Sequence, residues 1–270
     1  MVEITKKYKI GTRRFGLINW VGTWTLYKKE VLRFLNVWIQ TLFSPLISSL
    51  LFLLVISLAI GVDRGEVLGV PFVSFLAPGL ISMQVIQQSF SHSSSSFMIG
   101  KIQGNIVDIL YAPLSPAEVT ISVSLAAVTR SALIAIISII TFKIIINVQI
   151  INYFTLIAFT FLSSFILGNV GIIAGLWAEK FDHMASATNF VIVPLSFLSG
   201  TFYTIDKLPS FLQTISEFNP FFYMIDGFRY SFIGVADGSI ATGLIYLSIL
   251  SFVTWFITYL LYKKGYKIKS

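Results

Sequence analysis

Long stretches of this chain carry no charge, and that decides most of what it can fold into. Asp, Glu, Lys and Arg are absent from Phe34 to Val62, Val67 to Gly100, Ile144 to Ala178, Met184 to Ile205 and Gly238 to Tyr262, and Arg130 is the one exception between Val119 and Phe142. A helix needs about 20 largely apolar residues to cross the hydrocarbon of a bilayer. With 56% of 270 residues hydrophobic and 11% charged, the chain has too little charge to cover a soluble surface. The expectation is a single transmembrane domain over residues 1–270, an all-α polytopic membrane protein. Its six transmembrane helices are expected near 37–60, 72–97, 117–142, 153–177, 186–203 and 240–262.

Lys and Arg set the orientation. If both termini are cytoplasmic, fourteen of them fall inside, at the N-terminal segment, Lys101, Lys180 and the C-terminal tail. Only Arg64, Lys143, Lys207 and Arg229 fall outside. Cytoplasmic loops collect positive charge, so this is the expected topology. It also accounts for the net charge of +7 without nucleic acid as a partner. With no cysteine in the chain, disulfides and thiolate metal sites are excluded. The first apolar run begins past residue 34 and is too long for a cleavable leader, so it is expected to act as an uncleaved first span.

Three shorter segments differ from the spans. Residues 15–35 place Trp20, Trp24, Tyr27 and Val31 at helical spacing beside Lys28, Lys29, Glu30 and Arg33. That mixture suits a helix lying in the cytoplasmic interface with its tryptophans at headgroup depth. Residues 101–111 form a second short amphipathic helix: Ile102, Ile106, Ile109 and Leu110 share a face, with Lys101, Gln103, Asp108 and Tyr111 around it. Pro113 stops it, and Ser115, Pro116 and Glu118 make the capping box of the next span. Its pattern fits either a connector on lipid headgroups or a docking helix for a cytoplasmic partner. The third segment, 204–234, is aromatic but broken by Pro209 and Pro220, and reads as short re-entrant helices on the outer side. Asp226 and Arg229 are spaced for a local ion pair, with a gate or pathway role for them and for Asn219 and Pro220 as the other reading.

Arg130 must face the bundle interior, a cavity or a subunit contact, because a lone charge in lipid is costly. Pro45, Pro78 and Pro194 are expected to kink their spans. His92 within "SFSHSSSSF" raises an intramembrane hydrolase, but its span offers no carboxylate and no nucleophile elbow. A phosphate-binding G-x-x-x-x-G-K-[ST] loop is absent, as is any acid in the middle of a span to serve as an ion relay. Catalytic, cofactor and metal sites are therefore not expected in the chain, and transport would draw its energy from elsewhere.

The segments "KKEVLRFLNVWIQTLFSP", "FLAPGLISM", "NIVDILYAPLSPAEV" and "FLSGTFYTIDKLPSFLQTISEFNPFFYMIDGFRYSFIG" occur in an order that resembles the permease subunits of ABC-2-type transporters. Those are drug and lipo-oligosaccharide exporters, and the chain looks most like the YadH branch. The resemblance implies a half-transporter of the bacterial inner membrane that pairs with a second copy of itself. Two copies of a cytoplasmic ABC ATPase, which binds ATP and Mg, would dock beneath. Residues 101–111 would then be the coupling helix, and the outer helices would seal the pathway. An amphipathic substrate such as a drug, a lipid or a lipid-linked glycan follows from the same resemblance. Proline at Ile106 or charge reversal at Asp108 is expected to uncouple hydrolysis from export. A passive channel, scramblase or scaffold without an ATPase is the alternative from another class.

Overall fold

The computed structural model describes residues 16, 18–59 and 65–268, and they are almost entirely helical. α1 (Trp20–Leu35) starts at Asn19, whose side chain accepts from the Gly22 amide. A π-turn at Ile39–Phe43 runs directly into α2 (Ser44–Ala59). Pro45 explains the widened turn, since it offers no amide to the Thr41 carbonyl and its ring crowds the turn before it. Two two-residue strands, β1 (Glu66–Val67) and β2 (Val70–Pro71), pair antiparallel around Leu68 and Gly69, both at positive φ. Then come α3 (Phe72–Ile102), α4 (Ile106–Tyr111), α5 (Pro116–Ile146) and α6 (Tyr153–Trp177). α7 (Phe181–Ala187) passes through a second π-turn, Thr188–Ile192, into α8 (Val193–Leu198), again just ahead of a proline, Pro194. A 3₁₀ turn at Ile205–Lys207, α9 (Ser210–Phe218), α10 (Pro220–Ile233) and α11 (Ile240–Lys263) complete the order.

Four helical segments among the described residues are long and apolar enough to cross a membrane: Ile39–Ala59, α5, α6 and α11. The two other expected spans differ for physical reasons. α3 has 31 residues, about 46 Å of helix, but its second half reads "QVIQQSFSHSSSS". The stretch expected as the fifth span is a composite of the end of α7, the π-turn and α8, and the chain turns away at Gly200 with φ +80°. Pro78 lies inside α3 without ending it.

α3 is the central post, packed on α5, α6, α10 and α2. Helices in lipid gain little from hiding apolar surface from one another, so close approach and polar seams hold them together. Along α6, a Cβ on Gly171 would lie 2.5 Å from the Phe90 carbonyl oxygen, and one on Gly175 would lie 2.8 Å from that of Ser94. The α3 and α6 backbones therefore touch where those glycines fall. The seams carry hydroxyls: Ser131 donates to Ser164 at 2.6 Å, Ser124 to the Asn169 side chain at 3.1 Å, and Thr258 of α11 to the Asn169 carbonyl at 3.3 Å. A separate apolar cluster of Leu26, Phe97, Ile106, Val119, Val123, Ile172, Leu176, Tyr262 and Ile268 joins α1, α3, α4, α5, α6 and α11 at one end of the bundle.

Candidate functional site: the α4 elbow and its supports

The sequence expects one helix over 101–111; the fold divides it. Lys101 and Ile102 end α3, a turn at 103–105 with Gly104 at φ +75° reverses the chain, and α4 begins at Ile106. Lys101 Nζ donates to the Leu176 carbonyl at 2.7 Å and the Ala178 carbonyl at 2.5 Å, closing the last turn of α6. Ile106, Asp108, Ile109, Leu110 and Tyr111 do lie on α4. Ile106 is buried in the end cluster and Ile109 packs at its edge. Val107, Asp108, Leu110 and Tyr111 face outward, with Tyr111 87% exposed. One face of the helix is therefore anchored and the other presents aromatic and aliphatic side chains with a carboxylate among them.

The elbow after α4 is tied into two other helices. Ala112 is extended, as the residue before a proline must be. Ser115 and Glu118 form the capping box of α5 as the sequence expects. Glu118 does more than cap: Oε2 accepts from the Ser115 amide and Oε1 from the Asn19 amide, each at 2.6 Å. Asn19 returns the contact by donating from Nδ2 to the Pro113 carbonyl at 3.2 Å. The start of α1, the α4–α5 elbow and the start of α5 are thus laced through one carboxylate and one amide. Beside the lacing, a groove of about 550 Å³ is lined by Val21, Thr25, Lys29, Asp108, Ile109 and Pro113.

α1 presents Trp20, Trp24 and Lys29 outward, as an interfacial helix would, while Leu26, Glu30 and Phe34 face inward. Glu30 belongs to the buried face, only 1% exposed, where Oε2 accepts from Arg33 Nε at 2.9 Å and from Ser96 at 2.8 Å. It also brings a carboxylate to 3.9 Å from His92 Nε2, from a different helix than the sequence reading searched. The imidazole is buried with neither ring nitrogen hydrogen-bonded, and Ser89, Ser94 and Ser95 donate to backbone carbonyls of α3. No serine is placed to be activated by His92.

At the opposite end of the bundle, Asn219 caps α10 by accepting from the Phe221 amide at 3.0 Å and reaches back to Ser199 at 2.8 Å, with Pro220 as the first helical residue. Asp226 does not bond to Arg229. Its two oxygens accept from the Asp237 and Gly238 amides at 3.0 and 2.9 Å. Arg229 instead donates to the Gly200 carbonyl, lies 4.0 Å over the Phe75 ring and comes within 3.9 Å of the Asp237 carboxylate. The three polar residues clamp α3, the Gly200 turn, α10 and the start of α11 together.

Burial, and then the neighbouring Asp226 carboxylate, push the Asp237 carboxyl up to about 6 from 3.8. The fold therefore holds a proton there more tightly than the unfolded chain does. The stabilising contribution is complete below about 3.8, is lost as pH rises through about 6, and changes no further above that. Asp237→Asn is expected to flatten this part of the pH profile of the unfolding midpoint; an unchanged profile would show that Asp237 does not set it.

A family model described as ABC-2 type transporter matches residues 21–233. The chain is 31% identical to the inner membrane transport permease YadH of Escherichia coli (strain K12), over 93% of its own length and 98% of that protein's. It is 25% identical to nodulation protein J of Neorhizobium galegae, over 81% of this chain and 83% of that one. Against nodulation protein J of Rhizobium leguminosarum bv. viciae it is 24% identical, over 83% and 86% of the two chains. The match runs from α1 to the end of α10 and takes in α4 and the elbow after it: the chain belongs to the ABC-2 type transporter family, as a transmembrane permease component.

Proposed function

We propose that this chain is the membrane half of an ATP-driven exporter of the bacterial inner membrane, moving an amphipathic substrate outward. Two copies pair, and two copies of a cytoplasmic ATPase, which bind ATP and Mg, dock on α4. In this reading the chain crosses the membrane six times, with α3 and the α7–α8 composite as the second and fifth spans and both termini cytoplasmic. α9 and α10 form a re-entrant cap at the outer end, held by Asn219, Asp226 and Arg229. No residue of the chain is catalytic.

The observation that carries the proposal is the lacing of α4. A helix that merely floated on headgroups would need no buried anchor at Ile106, nor a carboxylate binding α1 to α5 at its base. Built this way, a displacement of α4 moves the first turns of α1 and α5 with it. Nucleotide-driven closure of the ATPase then shifts the two bundles between inward and outward access, a change of population with no chemistry in this chain.

Gentle-detergent capture of the tagged chain from its native membranes tests this. Co-purification of a protein with a phosphate-binding loop is expected, and Leu110→Asp should remove it. Capture of the chain alone under several mild conditions would favour a passive channel, scramblase or scaffold.

A further inference from the structure

Between α1–α2 on one side and α3–α5 on the other lies a cleft of about 790 Å³, and its walls are wrong for lipid tails. Gln40, Thr41, Ser44 and Ser48 recur at helical spacing along the π-turn and α2. Gln84, Gln87, Gln88, Ser91 and Ser95 do the same on α3, with Gln103 at its end. From Gln84 to Gln103 such a stripe runs roughly 28 Å at 1.5 Å per residue, close to the thickness of a bilayer's hydrocarbon core. Elsewhere on α2 the exposed large apolar residues are Ile47, Leu51, Phe52, Leu54, Val55 and Leu58, as lipid demands.

Two guanidinium groups face this space. Arg130 of α5 is only 7% exposed and lines the cleft with Arg33 of α1. Arg130 donates to Gln88, yet its Nε has no hydrogen-bond partner, and neither does Nε2 of Gln87. Buried donors without acceptors are destabilising, so an incoming acceptor gains by meeting them. Glu30, the acid that meets this cluster, is already engaged by Arg33 Nε and Ser96. The cleft thus holds unpaired donors and is positive in sign; amides and hydroxyls line most of the rest, with Phe34, Val37, Pro45 and Ile99 among them.

We propose that the cleft receives a phosphate-bearing, hydroxyl-rich headgroup, with Arg130 and Arg33 on the phosphate and the glutamine and serine stripes on the hydroxyls. Arginine is suited to this because its planar fork meets phosphate oxygens two at a time. A volume of about 790 Å³ takes a headgroup and not the tails attached to it. The tails of a lipid would stay in the bilayer beside α2. This deepens, and rests on, the reading of the chain as a permease for an amphipathic molecule.

Native mass spectrometry of the purified chain, without any ATPase, tests the site separately from that reading. Three probes at matched concentration are dioctanoyl phosphatidic acid, dioctanoylglycerol and glucose 1-phosphate. Preference for phosphatidic acid over dioctanoylglycerol by at least about 10-fold is expected, from one or more charge-assisted contacts. Comparable binding of glucose 1-phosphate would identify a soluble phosphosugar as the source instead of a lipid. Arg130→Gln should lower binding about 10- to 100-fold, and Arg130→Lys should recover part of it. If Arg130→Gln disturbs folding, seen as a broadened gel-filtration peak, Arg33→Gln on the cleft wall gives the same reading. Equal binding of the charged and neutral lipids, or full binding by folded charge-neutral variants, overturns the site. Phosphate-selective binding by a chain that never associates with an ATPase would leave the site standing and remove the exporter.

Discussion

Tyr111→Ala is expected to separate the permease from its ATPase while leaving the membrane bundle intact. Tyr111 is 87% exposed at the outer end of α4 and makes no contact that the fold depends on. Exposed tyrosines that become buried in a partner commonly carry 2 kcal/mol or more, so affinity should fall roughly 30-fold or beyond. Substrate-stimulated hydrolysis in reconstituted vesicles should fall with it, while gel filtration and thermal unfolding of the purified chain stay unchanged. Retained affinity and stimulation in that variant would remove α4 as the docking element.

The anchored side of α4 calls for a different substitution than the sequence suggests. A helix over 101–111 would be broken by proline at Ile106, but Ile106 is the first residue of α4, where proline is tolerated. What that position supplies is a buried side chain, so Ile106→Asp is the change that would lift α4 off its cluster.

Gly171→Val should be the most damaging single substitution in the bundle. Its first added carbon would sit 2.5 Å from the Phe90 carbonyl oxygen, and a backbone atom in the middle of α3 cannot swing aside. Overpacking of this kind costs about 3 kcal/mol or more, which for a chain of this size lowers the unfolding midpoint by roughly 6–12 °C. Fluorescence-detected gel filtration with a heating step reads that shift directly. Gly168→Ala is the control, because its added carbon comes no nearer than 3.2 Å to a neighbour, the Ala127 methyl, and a shift of a few tenths of an ångström relieves it. If both variants melted with the wild type, the α3–α6 contact would be looser than described.

Features set by neighbours in sequence were legible before any coordinates. The capping box at Ser115 and Glu118, the halt at Pro113 and the proline entry to α10 are decided within four residues. The apolar helices 39–59, 116–146, 153–177 and 240–263 follow from composition alone. What escaped was set across helices. Glu30 reads as surface charge beside Lys28, Lys29 and Arg33, yet it lies four residues from both Leu26 and Phe34, on the stripe α1 buries. That spacing was the available signal. Asp226 and Arg229 have the spacing of a pair, but the amides of 237 and 238 compete for the carboxylate and Gly200 for the guanidinium, which no local pattern announces. One face of the polar run of α3 is a close-packing surface, against Gly171 and Gly175. The other face is set by α2, which opposes it across the cleft with a polar stripe of its own.

The hydroxyl-rich half of α3 has a consequence for biogenesis. A segment reading "QQSFSHSSSS" is a poor substrate for lateral release from the translocon on its own merits. Its seam partner on α6 ends near Gly175, 73 residues after Ile102. At 5–20 residues per second, roughly 4–15 s of synthesis separate the two. During that interval α3 lacks the glycine seam on which its backbone rests. Nascent chains stalled before α6 should therefore be degraded by membrane quality control faster than chains stalled just after it.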